Sequence, residues 1–507
     1  MNASENRPNV VIIYGDDVGY GDVGVYGAEK IPTPNIDRLA RTGLLFTDGH
    51  CAAATCTPSR YSMLTGNSAF RKAGTGILPG DGKMAISSDQ FTLPDLFKQA
   101  GYVTAVVGKW HLGLGDGVTP IDWNGEVTPG PQDIGFDYSF ILPATNDRVP
   151  CVYLRNRRIV NLDPNDPIKV DYKNKLTDTY PDAREHPEAM TVYQSVNGHN
   201  RSVINGIGRI GWMSGGRSAL WDDETMTDQL VTEAKAFITR NRNRPFFLYY
   251  AAQNIHVPRV PHPRFCGKSG LGPRGDSMVE FDWATGEILQ TLEDLGLSEN
   301  TMVVFSSDNG PVYNDGYADG CTVDRSFGEA DHGHDGSGIY RGGKYQIYEG
   351  GTRVPFIISW PGTIEPKVSG SLISQLDLLA SFSEFFSIDL PETAGFDSRN
   401  MLSSLLGLTE KSDGAILEEA FTHVAVLCAN YKYIPARTDR WNGLSLSEEL
   451  YDLQTDPSEQ KNLATELPEK AQEMKALLEK LIEKGAAATN AFLQATRDQK
   501  STKCPSL

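Results

Sequence analysis

"NVVIIYGDD", Asn9 to Asp17, sets a short run of apolar residues directly against two carboxylates. A continuous apolar stretch of this length, rich in Val and Ile, reads as a strand covered on both faces, the kind found in parallel sheets. The pattern recurs in "YVTAVVG" (102–108), "PFFLYYAA" (245–252), "TMVVFSS" (301–307) and "VPFIISW" (354–360). Helix-compatible stretches lie between them, among them "TPNIDRLARTGL" (33–44), "TLPDLFKQAG" (92–101) and "TMTDQLVTEAKAFITRN" (225–241). Strands alternating with helices predict an α/β fold, a large mostly parallel sheet sandwiched by helices, with ligands at the carboxyl ends of its strands. At those ends the first four runs lead into Asp16 and Asp17, Lys109 and His111, Asn254 and His256, and Asp308 and Asn309. One acidic pair after a strand is ordinarily a cap or a turn; four polar sets on one rim point to a site.

The 507 residues exceed the usual size of a single core, and the pattern shortens after about residue 410. We therefore expect a catalytic domain over 1–410 and a small α+β subdomain over 411–507. The latter should end in a helix near "ELPEKAQEMKALLEKLIEKGAA", and the terminal "TRDQKSTKCPSL" should be frayed. A formal charge of −18 without any Lys/Arg-rich run excludes nucleic acid as a partner. An acidic chain that handles anions must do so at a local positive site. Seven scattered cysteines form no CxxC pair, and the odd count leaves at least one unpaired within the chain. No apolar run approaches the roughly 20 residues of a membrane span. The start enters a strand at once, without the apolar core of a signal peptide, so the compartment stays undetermined.

Asp16, Asp17, Asp308 and Asn309 offer oxygen donors, the ligand set of a hard cation, Ca²⁺ or Mg²⁺, with the larger Ca²⁺ fitting a mixed carboxylate and amide cage better. Arg60, Lys109, His111, His256 and Lys344 add cationic or proton-carrying groups, which suits a small tetrahedral oxyanion. "CAAATCTPSRYSMLTGN", Cys51 to Asn67, opens a helix with Pro58 in the first turn and Gly66 as terminator. Cys56 would sit at the positive end of that helix, either as an activated nucleophile or as a buried cysteine capping a core helix. A Pro/Gly-rich loop after His256 and a second loop over 310–355 are long enough to be functional. In the second, His332, His334 and Asp335 have a spacing that a transition metal could use, or they belong to a solvated substrate loop.

"CTPSRYSMLTG" matches the C-x-P-S-R signature of the type I sulfatases, and the chain resembles this family of the alkaline phosphatase superfamily. The resemblance runs through "PNVVIIYGDDVGYGDVGVYG", "TPNIDRLARTGLLFTDGH", "GKWHLG", "SSDNGP" and "RGGKYQIYEGGTRVP" to "ELYDLQTDPSEQKNLA", essentially the whole chain. It implies an alkaline phosphatase-like fold and the oxidation of Cys56, by a maturation enzyme, to Cα-formylglycine. The hydrated aldehyde would attack sulfur, and its second hydroxyl would later expel sulfate, splitting one hard hydrolysis into two easier steps. The same matching puts Ca²⁺ on Asp16, Asp17, Asp308, Asn309 and the modified Cys56. Arg60 would orient the hydrate, Lys109 and His111 would contact hydrate and sulfate, Lys344 would bind sulfate, and His256 would protonate the leaving oxygen.

The segment 135–160 resembles the part of bacterial glycan sulfatases that touches sugar, which makes Asn146, Asp147 and Arg148 candidates for substrate binding, a plain turn at "TNDR" being the other reading. A sulfated carbohydrate is then the expected substrate, and a periplasmic or secreted location the expected one if a leader has been trimmed. Two other functions fit the same motifs. One is a phosphodiesterase or phosphonate monoester hydrolase of the superfamily; the other is a glycan-binding protein that keeps the fold without the modification.

Overall fold

The computed structural model describes residues 7–176, 178–324, 330–409, 414–421, 423–439 and 443–484. All five strands expected from the apolar runs form, at Asn9–Gly15, Val103–Lys109, Phe246–Ala251, Thr301–Ser307 and Phe356–Ser359. Every residue of Asn9–Gly15 is buried, as a run without polar alternation requires. This strand lies at the sheet centre, parallel to both neighbours, with Ile12 level with Tyr249 on one side and Val304 on the other. Val103–Lys109 and Tyr138–Leu142 extend the parallel part beyond Phe246–Ala251.

Ten strands complete the sheet, and its margins are mixed. Phe356–Ser359 runs antiparallel to Thr301–Ser307, Leu44–Phe46 antiparallel to Phe356–Ser359, and Lys367–Ser369 parallel to Leu44–Phe46. At the other margin Leu154–Arg155 and Arg158–Ile159 form a hairpin. Helices Pro34–Arg41, Met226–Asn241 and Gly272–Asp294 pack as one group, and Cys56–Thr65, Leu93–Gln99 and Asp377–Phe386 as another. Val103–Lys109 touches a member of each group, so helices flank the sheet as expected. Burying aromatic residues such as Phe247 in this layer stabilises the fold by roughly 1.5–3 kcal/mol per side chain.

Where the sheet approaches the site the backbone leaves no room. Gly108 has φ +115°, and a Cβ there would lie 1.9 Å from the Ala251 carbonyl oxygen. Only glycine brings Lys109 to the rim by this path.

The C-terminal part is an α+β unit. Strands Ala415–Ala420, His423–Cys428, Tyr431–Ile434 and Glu449–Asp452 form an antiparallel sheet with helix Pro468–Glu483 packed on it. The expected boundary at 410/411 and the expected frayed tail lie outside the described residues. The unit docks by backbone: Glu419 N–H donates to the Ala52 carbonyl at 3.0 Å, and Ala54 N–H to the Glu419 carbonyl at 2.8 Å. It therefore grips the segment that leads into Cys56. No helix of the described residues is long and apolar enough to cross a membrane, and no disulfide forms among their cysteines.

Candidate active site

Each expected strand end delivers its residues to one rim, with one exception. Asn254 turns away and donates to Thr227 Oγ1 at 2.7 Å and Glu280 Oε2 at 3.2 Å. Asp16, Asp17, Asp308 and Asn309 are fully enclosed. Ligand atoms of Asp16, Asp17, Cys56 and Asp308 all lie within 4.8 Å of one another. Asn309 Nδ2 donates to Asp17 Oδ1 at 2.8 Å, while its Oδ1 is buried without a hydrogen-bond partner among the described residues. Three crowded carboxylates and an orphaned amide oxygen fit a hard cation, because a buried acceptor without a donor is costly. Burial pushes the Asp16 carboxyl up to about 7; Lys109 opposes the shift, and the charges of Asp308 and Asp17 add to it.

Lysines face this cluster from two sides. Lys109 Nζ lies 2.6 and 2.7 Å from the two oxygens of Asp16. Lys344 Nζ lies 2.9 Å from Asp17 Oδ2 and 3.2 Å from Asp315 Oδ2. Burial works against the Asp17 carboxylate, yet Lys344 and Lys109 hold it below its ordinary range.

The helix Cys56–Thr65 places Cys56 in its first turn and ends at Gly66, with φ +65°, as its sequence indicates. The helix N-terminus does not activate the thiol. Burial pushes Cys56 well above the ordinary thiol range, and Lys109 and Lys344 only partly offset this. A neutral buried thiol is a poor nucleophile. Arg60 sits one turn on and is committed to Asp308, with Nε at 2.9 Å and Nη2 at 2.8 Å from Oδ2. Its Nη1 reaches the Tyr249 hydroxyl at 3.2 Å and the Lys109 carbonyl at 3.3 Å.

His256 Nδ1 faces two acceptors, the Val257 carbonyl at 2.7 Å and Asn146 Oδ1 at 3.2 Å. Nδ1 therefore carries hydrogen, and Nε2 is the nitrogen left to the cavity. His111 Nε2 lies 3.0 Å from the Leu78 carbonyl, and its Nδ1 is buried without a hydrogen-bond partner among the described residues. Burial first, then the charge of Lys109, lowers both histidines well below their ordinary value.

A cavity of about 670 Å³ opens over Cys56, His111, His256 and Lys344, within the size range of ligand pockets. Asp147 and Arg148 line it. Arg148 Nη1 lies 2.5 Å from Asp147 Oδ1, and His199 Nε2 lies 2.9 Å from Asp147 Oδ2. Asn146 does not share that wall. Its Nδ2 donates to the His256 and Pro258 carbonyls, so its amide is spent on positioning the histidine segment. Sequence reasoning missed Asp315, Tyr345 and His199, which sit in turn-rich loops without periodicity. The spacing of His332, His334 and Asp335 does not make one site: His334 Nε2 bonds Asp22 at 2.8 Å, and His332 Nε2 lies 2.9 Å from the Gly320 carbonyl.

Comparison with known proteins agrees with this geometry. The family model described as "Sulfatase" matches residues 8–388, and one described as "N-sulphoglucosamine sulphohydrolase, C-terminal" matches 340–487. An N-acetylgalactosamine-6-O-sulfatase of Bacteroides thetaiotaomicron is 48% identical over 94% of this chain and 93% of its own length. Human arylsulfatase A is 34% identical over 80% of this chain and 69% of its own. A solved B. thetaiotaomicron sulfatase, from work on the metabolism of multiple glycosaminoglycans, superimposes with a TM-score of 0.89 at 46% identity, covering 94% of this chain and 99% of its own. With a signature cysteine at the head of a buried helix, an oxygen-rich cage beside it and matches along nearly its whole length, the chain belongs to the sulfatase family of sulfuric ester hydrolases.

Proposed function

We propose that this enzyme hydrolyses a sulfate ester on a sulfated carbohydrate, using Cys56 as the precursor of its nucleophile and a calcium ion held by Asp16, Asp17, Asp308 and Asn309. The observation that carries the reading is the convergence of Cys56, His111, His256 and Lys344 on one cavity walled by Asp147 and Arg148. Oxidation of Cys56 to formylglycine by a maturation enzyme, followed by addition of water to the aldehyde, would supply the hydroxyl nucleophile that the buried thiol cannot be. A cation held by these residues would supply positive charge to offset that of the sulfate. Lys109 and Lys344 bring the further charge that a sulfate needs in an acidic protein, where fixed charges cost no reorganisation during reaction. Arg60 anchors Asp308, and His111 contacts the nucleophile and the sulfate. His256, held through Nδ1–H by Val257 and Asn146, presents Nε2 to the leaving oxygen; burial and Lys109 keep the ring of the empty site neutral, and the incoming anionic ester favours the imidazolium, the form that donates a proton from Nε2.

The name of the 48% identical relative makes 6-sulfated N-acetylgalactosamine the first substrate to try. Asp147 and Arg148 would meet its hydroxyls. The test is a screen of matured enzyme against sulfated mono- and disaccharides, with a nitrophenyl sulfate and a phosphate diester alongside. Turnover of the diester in preference to every sulfated sugar would overturn the proposal.

A further inference from the structure

Four cationic side chains of Arg or Lys line the cavity: Arg148, Arg184, Arg201 and Lys344. Three of them have carboxylate partners. Arg148 pairs with Asp147, Lys344 with Asp17 and Asp315, and Arg184 with Asp182, from which its Nη2 is 2.6 Å. Arg201 is the exception: among the described residues its guanidinium makes no ion pair and no side-chain hydrogen bond.

The surroundings fix it in place nevertheless. Its guanidinium lies 4.3 Å from the ring centroid of Trp212, and Arg184 lies over the same ring at 5.4 Å. The indole is buried and held by its Nε1 donating to Asp182 Oδ2 at 3.0 Å. Backbone bonds hold the loop: Arg201 N–H donates to the Arg209 carbonyl, and its own carbonyl accepts from Ala183 N–H. Two residues earlier, His199 pins the loop to Asp147 on the cavity wall. A guanidinium stacked on an aromatic face keeps its N–H edge free, and that edge matches the two oxygens of a carboxylate or a sulfate. Burial and the neighbouring charge of Arg184 work against the Arg201 cation, so an incoming anion relieves a cost already present.

We propose that Arg201 binds a second acidic group of the substrate, one beyond the sulfate ester being cleaved. The proposal rests on the sulfated-carbohydrate reading above. Two sources share the chemistry: the carboxylate of an adjoining uronic acid, or a second sulfate ester on the same unit.

The experiment compares kcat/KM of the wild-type enzyme, Arg201→Ala and Arg201→Lys on two matched pairs. One pair is a sulfated disaccharide with its uronic acid free or as the methyl ester. The other is an N-acetylgalactosamine carrying one or two sulfate esters. Arg201→Ala should lose roughly 10- to 100-fold more on the acid-bearing member of one pair than on its neutral counterpart, the span of one charge-assisted pair. The loss should fall mainly on KM, with partial recovery in Arg201→Lys. The pair that shows the difference identifies the source. Equal losses within both pairs, or no loss, would overturn the assignment while leaving the sulfatase reading intact. Failure of the wild-type enzyme on all four sugars would remove the sulfated-carbohydrate reading and this inference with it.

Discussion

Replacing His256 with alanine separates proton delivery from sulfate binding, because the two contributions depend differently on the leaving group. The imidazole is 3% exposed, and its Nδ1–H is committed to the Val257 carbonyl at 2.7 Å, which leaves Nε2 for the ester. A sugar alkoxide is a poor leaving group and needs that proton in the transition state. Loss of a general acid costs about 10²–10⁴-fold, equivalent to about 3–5.5 kcal/mol of transition-state stabilisation. A nitrophenolate departs without help, so by the same Brønsted argument His256→Ala should cost it less than about tenfold. The assay is kcat/KM on a sulfated sugar and on nitrophenyl sulfate, with melting curves to show that the variant folds. Lys109→Ala is the contrast: a charge that serves the sulfate should matter to both substrates. Losses of equal size on the two substrates in His256→Ala would refute the general-acid role and leave His256 as a sulfate ligand.

Peptide mass spectrometry of active enzyme should find Cys56 converted to formylglycine; full activity with the thiol intact would eliminate the nucleophile proposed here. Chelation should abolish turnover and Ca²⁺ restore it, and Asp308→Ala should lose metal and rate together. The same change strands buried Arg60, which breaks its pair at a cost of about 3–5 kcal/mol in stability. Stability should also fall between pH 4.5 and 9, through Glu419 over the lower part of that range and His50 over the upper. Burial pushes Glu419 up to about 8, so its contribution is full below the ordinary 4.5 and lost as pH rises through 8. His50 is opposed by burial but raised to about 9 by Glu418 and Asp48, so its contribution is full below 6.5 and lost through 9. Melting temperatures of Glu419→Gln should decline less over this range than those of the wild type; parallel curves would show that Glu419 does not titrate there.

Much of the sheet was legible because long buried strands must be apolar throughout, and polar residues directly after such runs can only lie at strand ends. Leu44–Phe46 and Lys367–Ser369 carry too few residues for any periodicity to register, so the mixed margin was not. Within the site, residue type told which groups could act but not which group each one touches. Arg60 reads as a partner of the nucleophile, but that its Nε donates to Asp308, a residue far along the chain, could not be read from its type. Asn146 reads as a sugar contact and instead fastens the His256 segment. The helix start at Cys56 was visible in Pro58. The burial that keeps its thiol protonated was not, because it depends on the whole fold around it.

Non-glycine residues of the site with left-handed backbone include Asp17 at φ +61°, His111 at +52° and Tyr345 at +76°. Asp and His tolerate this region, whereas a tyrosine there is an outlier costing on the order of 1–3 kcal/mol. Such conformations persist only where neighbours over-determine them. Asp17 N–H donates to Asp308 Oδ1 at 3.2 Å, the His111 carbonyl accepts from Thr57 Oγ1 at 2.8 Å, and Tyr345 N–H donates to the Ala54 carbonyl at 2.7 Å. Two of these three restraints end within two residues of Cys56, and the one at Ala54 lies on the segment that Glu419 also clamps. The C-terminal sheet is therefore more than an appendage. By fixing Ala52–Ala54 it holds the entry to the Cys56 helix, and through that entry the backbone of Tyr345, next to Lys344. The nucleophile proposed at Cys56 would have to meet sulfur in line and would tolerate little displacement, since a misplacement of about 1 Å can cost about a hundredfold in rate.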